Sequence, residues 1–300
     1  MSKVATLSEA VAQYVHDGDT IYLAGFTHLI PFAAGHEIIR QRRRDLTLAR
    51  ATPDLLYDML VGARCARKLI FSWGGNPGVG MLRNVRAAVE SGQISIEEYS
   101  HFAMITRLVA GAINVPFLPM RSTGTRDLAA GNPQYRAVQC PYTGEMLTTV
   151  PALNPDVAII HAQRADEYGN AHIWGVIGEQ KEAAFASRRV ILTVEEIVPQ
   201  EVIRSDPNRT LVPGMVVDAV CLVPHCAHPS YSQGYYDRDN DFYLAWDKVT
   251  GEPGGTQAWL DEWVYGLSGR DEYWEKLGAA THERLKVTPL LSEPVNYGSY

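Results

Sequence analysis

Asp17-Gly-Asp-Thr-Ile-Tyr-Leu-Ala-Gly-Phe-Thr-His-Leu-Ile-Pro-Phe-Ala33, DGDTIYLAGFTHLIPFA, holds a helix stop, an apolar run, a glycine turn and a new helix start within seventeen residues. Asp17-Gly-Asp19 ends a helix that Thr6-Leu-Ser-Glu9 opens as a capping box, the Thr6 hydroxyl and Glu9 carboxylate each serving the other's backbone donor. Leu7, Ala10, Val11, Tyr14 and Val15 share one face of that helix. Thr20–Phe26 then reads as a buried strand, and Pro31–Gln41 (PFAAGHEIIRQ) as the helix that follows. The cycle repeats downstream: LTLAR (46–50) extended, PDLLYDMLVGA (53–63) helical, KLIFSW (68–73) extended. Further strands are predicted at Ala158–Ala162, Val190–Val194 and Val216–Val223, with a helix at Gly178–Arg188. Continuous apolar strands separated by helices predict an α/β fold with an open, mostly parallel sheet covered by helices on both faces. After about Tyr235 the chain turns aromatic and acidic and ends in two helical stretches. Residues 1–234 are thus expected to form the α/β domain, with 235–300 a helical C-terminal extension packed on it.

Charge narrows the function. Among 300 residues, Asp and Glu outnumber Lys and Arg for a net charge of −7, which argues against nucleic-acid and anionic-membrane partners. The densest basic run, Arg40-Gln-Arg-Arg-Arg44, reads as a solvated helix end where cations oppose the dipole. The opening MSKVATLSEAV lacks the apolar core of a signal peptide, and no stretch is long enough to span a bilayer. Four cysteines in so long a chain do not make a disulfide framework. A cytoplasmic protein is the expectation.

The motifs that carry chemistry are few. Trp73-Gly-Gly-Asn-Pro-Gly-Val-Gly80 joins a predicted strand to a predicted helix, but no Lys-Ser or Lys-Thr pair follows, and it does not read G-x-G-x-x-G. It is either a tight turn or side-chain-free backbone at a strand's carboxyl end, where open α/β sheets admit ligands. Cys221-Leu-Val-Pro-His-Cys-Ala-His228 gathers four metal-ligand types in eight residues, yet zinc sites usually draw short pairs from two separate places. No metal is expected there. His161 reads as a satisfied near-core histidine, there is no G-x-S-x-G elbow, and Asp166–Asn170 reads as a turn.

Several stretches together resemble family I coenzyme A transferases. Asp17–Ala33 is similar to that family's amino-terminal signature, with Gly25-Phe26 and Pro31 matching and Ala24 in place of a glycine. Asp156–Gly175 (DVAIIHAQRADEYGNAHIWG) is similar to its strand, Ala-Asp turn, Gly-Asn and return strand. ISIEEYS, VPFLP, VPGMVVDAV, the AHPS of Ala227–Ser230, YDRDNDF, DEWVYGL and RDEYWEKLGA extend the likeness, closest to glutaconate-type α chains, over nearly the whole sequence. The resemblance implies an open α/β sheet and a thioester site shared between two homologous chains. It also implies covalent catalysis in which a glutamate becomes acylated and then carries CoA as a thioester. That glutamate stands in a Ser-Glu-Asn-Gly-like motif of the β-type chain, and Gly178-Glu-Gln and Gly144-Glu-Met do not match it. The chain therefore resembles an α subunit that needs a β partner carrying the nucleophile, as α2β2, with coenzyme A thioester as substrate and no bound cofactor.

On this resemblance Gly25, Phe26, Thr27, Gly75, Asn76 and Gly78 are expected to contact the acyl thioester. His101 stands where the glutaconate-type α chain has glutamine, and Arg121 where it has an uncharged residue. A histidine there would move protons; its structural alternative is a helix cap. An arginine would clamp a substrate carboxylate; its alternative is a pair with a neighbouring Asp or Glu. The expected function is CoA transfer between carboxylic acids on a carboxylated acyl-CoA. Two alternatives stay open: a C–C hydrolase or decarboxylase on the same scaffold, and a non-catalytic ligand-binding α/β protein.

Overall fold

The computed structural model describes residues 2–76, 80–121 and 126–287. Its strands are β1 (Thr20–Leu23), β2 (Leu46–Ala49), β3 (Ala66–Phe71), β4 (Ser95–Glu98), β5 (Phe117–Met120), β6 (Arg136–Gln139), β7 (Met146–Pro151), β8 (Val157–Ala165), β9 (Ala171–His172), β10 (Arg189–Ile197), β11 (Thr210–Val212) and β12 (Ala219–Leu222). The main sheet runs β12-β10-β8-β1-β2-β3-β4 with every one of these neighbours parallel. β9 adds antiparallel to the far end of β8, and β11 to β9. A separate antiparallel sheet, β5-β7-β6, stands beside it.

The strands are apolar on both faces because each face meets its own core. Ile21 and Leu23 enter one cluster and Tyr22 and Ala24 the other; Val157 and Ile159 oppose Ala158 and Ile160 in the same way. This is the period-two alternation of a strand buried on both sides. The first core takes the helices Leu7–Tyr14, Phe32–Arg40 and Leu55–Gly62, and the second takes His101–Ala112 and Gln180–Ala186. The Thr6–Glu9 capping box forms, with Glu9 N–H donating to Thr6 Oγ1 at 3.2 Å and Thr6 N–H to Glu9 Oε2 at 3.0 Å. Trp246, Trp259, Leu260, Val264 and Tyr273 share the first core with Ile21. The buried Asp58 carboxylate ties this tail inward, accepting from Trp246 Nε1 at 2.9 Å, Val85 N–H at 2.9 Å and Asn84 Nδ2 at 3.0 Å.

β1 and β12 are the strands cut furthest short of expectation. β1 stops at Leu23 because Gly25 takes a φ of +131° that ends extended backbone. β12 begins only at Ala219, after a 3₁₀ turn at Gly214–Val216, where the Asp218 carboxylate accepts from Val190 N–H at 2.9 Å. No helix of the described residues is long and apolar enough to cross a membrane.

Candidate active site

The loops that follow β1, β2 and β3 meet at the carboxyl edge of the sheet, the edge where open α/β sheets admit ligands. Ser72 N–H and Trp73 N–H both donate to Ala51 O (3.1 and 3.2 Å), and Gly75 N–H donates to Pro53 O at 3.1 Å. The glycine loop after β3 is thus laced to the loop after β2.

The loop after β1 is held from the other side. A Cβ on Gly25 would stand 2.8 Å from both His28 O and Leu29 O, so this close turn requires glycine. His28 is fully buried; Gln233 N–H donates to its Nε2 at 3.1 Å, so its Nδ1–H faces Val176 O at 2.9 Å. That is the neutral tautomer, and burial accordingly lowers the His28 pKa to about 4. Ser230 Oγ donates to Thr27 O at 2.7 Å and pins the next residue.

Between these loops lies a cleft of about 180 Å³. Phe26 and Trp73 supply apolar walls, and Thr27, Gly75 and Asn76 also line it. Gly25 sets the turn that carries Phe26 into the wall. Gly78 lies outside the described residues. Thr27 Oγ1 and Asn76 Oδ1 are buried without a hydrogen-bond partner among the described residues. Arg50, Thr52, Asp54, Arg238 and Tyr243 complete the lining, none of them anticipated from sequence. Arg50 has a positional signal, since it directly follows a strand. Arg238 has none, because nothing local reveals that the tail folds back over the sheet edge.

Arg50 is 1% exposed and its Nη1 stands 3.3 Å from Asp54 Oδ1. Asp54 caps the helix Leu55–Gly62 by accepting from Leu56 N–H at 3.2 Å. Burial pushes the Asp54 carboxyl upward against the pull of Arg50.

His101 begins its helix beside this cleft, with its ring edge-on to Phe26 at 6.3 Å and Nδ1 3.2 Å from Ser72 Oγ. The Ser72 hydroxyl already donates to Ala51 O, so the proton between Ser72 and His101 belongs to the imidazole. Ser100, not His101, caps the helix by accepting from Ala103 N–H. Arg121 sits elsewhere: it is exposed, its Nη2 2.9 Å and its Nε 3.0 Å from Glu145 Oε2, and it is not among the cleft's lining residues.

The remaining motifs have structural partners. His161 Nε2 meets Glu195 Oε1 at 2.8 Å in the core. Within Cys221–His228, Cys221 and Cys226 are buried, His225 stacks on Trp274 at 3.8 Å, and His228 bonds Tyr273 and Asp239.

Known proteins share this architecture. The family model described as "Coenzyme A transferase" matches residues 4–222. The chain is 50% identical over 280 residues to the A-type subunit of the 3-oxoadipate CoA-transferase of Pseudomonas knackmussii, covering 92% of this chain and 99% of that one. It overlays the crystal structure of glutaconate coenzyme A-transferase from Acidaminococcus fermentans with a TM-score of 0.91 at 38% identity, covering 96% of each chain. A decarboxylase AibA/AibB structure is more distant, with a TM-score of 0.76 at 29% identity, covering 87% of this chain and 98% of that one. Family model, relatives and fold agree that the chain belongs to the coenzyme A transferase family, among its A-type subunits.

Proposed function

We propose that this A-type subunit works with a B-type subunit, as α2β2, to move CoA between two carboxylic acids, at least one of them a dicarboxylate. The relatives named above act, by their names, on 3-oxoadipate and glutaconate, both dicarboxylates. The partner's glutamate attacks the acyl-CoA carbonyl, forming an acyl–glutamyl anhydride and releasing CoA thiolate. The thiolate then attacks the glutamyl carbonyl, freeing the first acid and leaving a glutamyl-CoA thioester. A second carboxylate reverses these two steps and leaves as the new acyl-CoA.

One observation carries the assignment of the nucleophile to the partner. Among the described lining residues the cleft's carboxylate is Asp54, and it is occupied as a helix cap and as the partner of Arg50. This chain's share is then to seat the acyl group against Phe26 and Trp73.

His101 supports a second reading. Its Nδ1 is committed as a donor to Ser72, so Nε2 is the atom that would carry a proton in hydrolysis or decarboxylation. Mass analysis of products separates the two. The two-subunit complex, given succinyl-CoA and acetate in ¹⁸O-water, is expected to yield acetyl-CoA and unlabelled succinate. Carbon dioxide or a carbon–carbon cleavage product with no acetyl-CoA would replace the transferase reading with the second, and labelled succinate with no acetyl-CoA would overturn transfer in favour of thioester hydrolysis.

A further inference from the structure

We propose that Arg50 is the subsite for the distal carboxylate of a dicarboxylic acyl group, in the cleft that Arg238 and Tyr243 also line. The proposal rests on the transferase reading and names which end of the substrate this chain selects.

Arg50 is placed firmly. It is the first residue beyond β2, and its N–H donates to Ile70 O at 3.1 Å. Its guanidinium lies 5.6 Å from the Tyr57 ring. Yet it is poorly satisfied: among the described residues Nε and Nη1 are buried with no hydrogen-bond partner, because Asp54 pairs with Nη1 at 3.3 Å without accepting in hydrogen-bond geometry. A buried N–H left without an acceptor is costly, and a guanidinium presents its donors as a fixed fork matched to a carboxylate. Thr27 Oγ1 and Asn76 Oδ1 are likewise buried and without a partner among the described residues, and both residues line the same cleft. Residues with unsatisfied polar atoms gathered around one partly apolar cleft fit a ligand site.

Arg50 and Arg238 line the cleft together with Asp54, and Glu179, which accepts from Tyr22 Oη at 2.6 Å, lies close enough to act on Arg50. Size selects the ligand further. At about 180 Å³ the cleft falls below the several hundred cubic ångströms typical of drug-sized ligands, so it suits a short acyl chain and not the CoA nucleotide. Arg121, by contrast, is exposed and already holds a carboxylate.

The test compares succinyl-CoA with butyryl-CoA, equal in carbon number and differing in the distal carboxylate, using the two-subunit complex. Wild type is expected to prefer succinyl-CoA in kcat/KM, and Arg50→Lys, which keeps the charge but loses the fork, to cut that preference about ten- to a hundred-fold. Equal losses on both substrates would show that Arg50 holds the reacting carboxylate or the fold, and would overturn the proposal. Collapse of the preference in Arg121→Lys instead would do the same. Binding of free succinate and butyrate, read as a rise in melting temperature of the wild-type complex, needs neither a variant nor turnover. A succinate-specific rise supports the subsite even if transfer is never observed, and no difference between the two acids overturns it.

Discussion

The purified chain alone is expected to transfer CoA at less than about a thousandth of the rate of its two-subunit complex, a loss in the range seen when a covalent nucleophile is removed. The expectation follows from what the cleft contains. Phe26, Trp73, Thr27 and Asn76 line it with apolar and neutral polar groups, while Asp54 is tied to Arg50 and to the start of the helix Leu55–Gly62. A carboxylate already engaged by a guanidinium and a backbone N–H is a poor attacking group. Trp73 and Phe102, 49% and 62% exposed, flank the cleft and His101 and are suited to burial against a second chain. Assaying acetyl-CoA formation from succinyl-CoA before and after adding the B-type subunit checks this. Sustained transfer by the chain alone would contradict it.

Replacing Glu195 by Gln is expected to destabilise the chain by about 3–5 kcal/mol, the cost of breaking a buried charge pair from one side. Glu195 is 6% exposed and receives three hydrogen bonds: from His161 Nε2 at 2.8 Å, Tyr236 Oη at 2.6 Å and His225 N–H at 2.7 Å. It thereby fastens β8 and the segment after β12 to β10. Burial works to raise the Glu195 carboxyl, but these bonds and the charge on His161 hold it below the usual carboxylate range. Burial opposes the charged imidazole of His161 as well, yet Cys226 and Glu195 outweigh it and push the pKa up to about 10. The signs then give a window. The Glu195 contribution is present above about pH 4.5 and lost as pH falls; the His161 contribution is complete below about pH 6.5 and lost as pH rises toward 10. Denaturant unfolding of wild type and Glu195→Gln across pH should show the largest gap between these two values and a shrinking gap toward pH 10. A gap independent of pH would mean that packing, not the charge pair, accounts for the loss.

The main sheet is legible in the sequence because its inner strands are continuous apolar runs. Ile21-Tyr-Leu23, Ala158–Ala162 and Val190–Val194 advertise burial on both faces. β4 is not legible: Ser95–Glu98 is an edge strand whose side chains mostly face solvent, so SIEE shows no apolar run. The β5-β7-β6 sheet escapes for a similar reason, as Phe117 and Met146 are exposed while Arg136 and Gln139 are polar. At the site, Phe26, Thr27, Gly75 and Asn76 are reached through the resemblance, since loops at strand ends keep a recognisable glycine pattern. Arg50 and Arg238 are not, because their meaning depends on a chain that separates them by most of its length folding back to one cleft. Arg121 and its partner Glu145 lie just beyond the paired ends of β5 and β7, so their contact depends on a sheet that the sequence does not show.

One covalent event is central to the proposed reaction, and where CoA becomes attached tests it most directly. The complex is incubated with succinyl-CoA without an acceptor acid, quenched, and its two chains weighed intact and after borohydride reduction. A CoA-sized mass on the B-type subunit, lost on reduction and replaced by a single reduced glutamate, is the expected result, with this chain unmodified. CoA attached to a carboxylate of this chain, or succinyl-CoA consumed in full with neither chain ever modified, would contradict it.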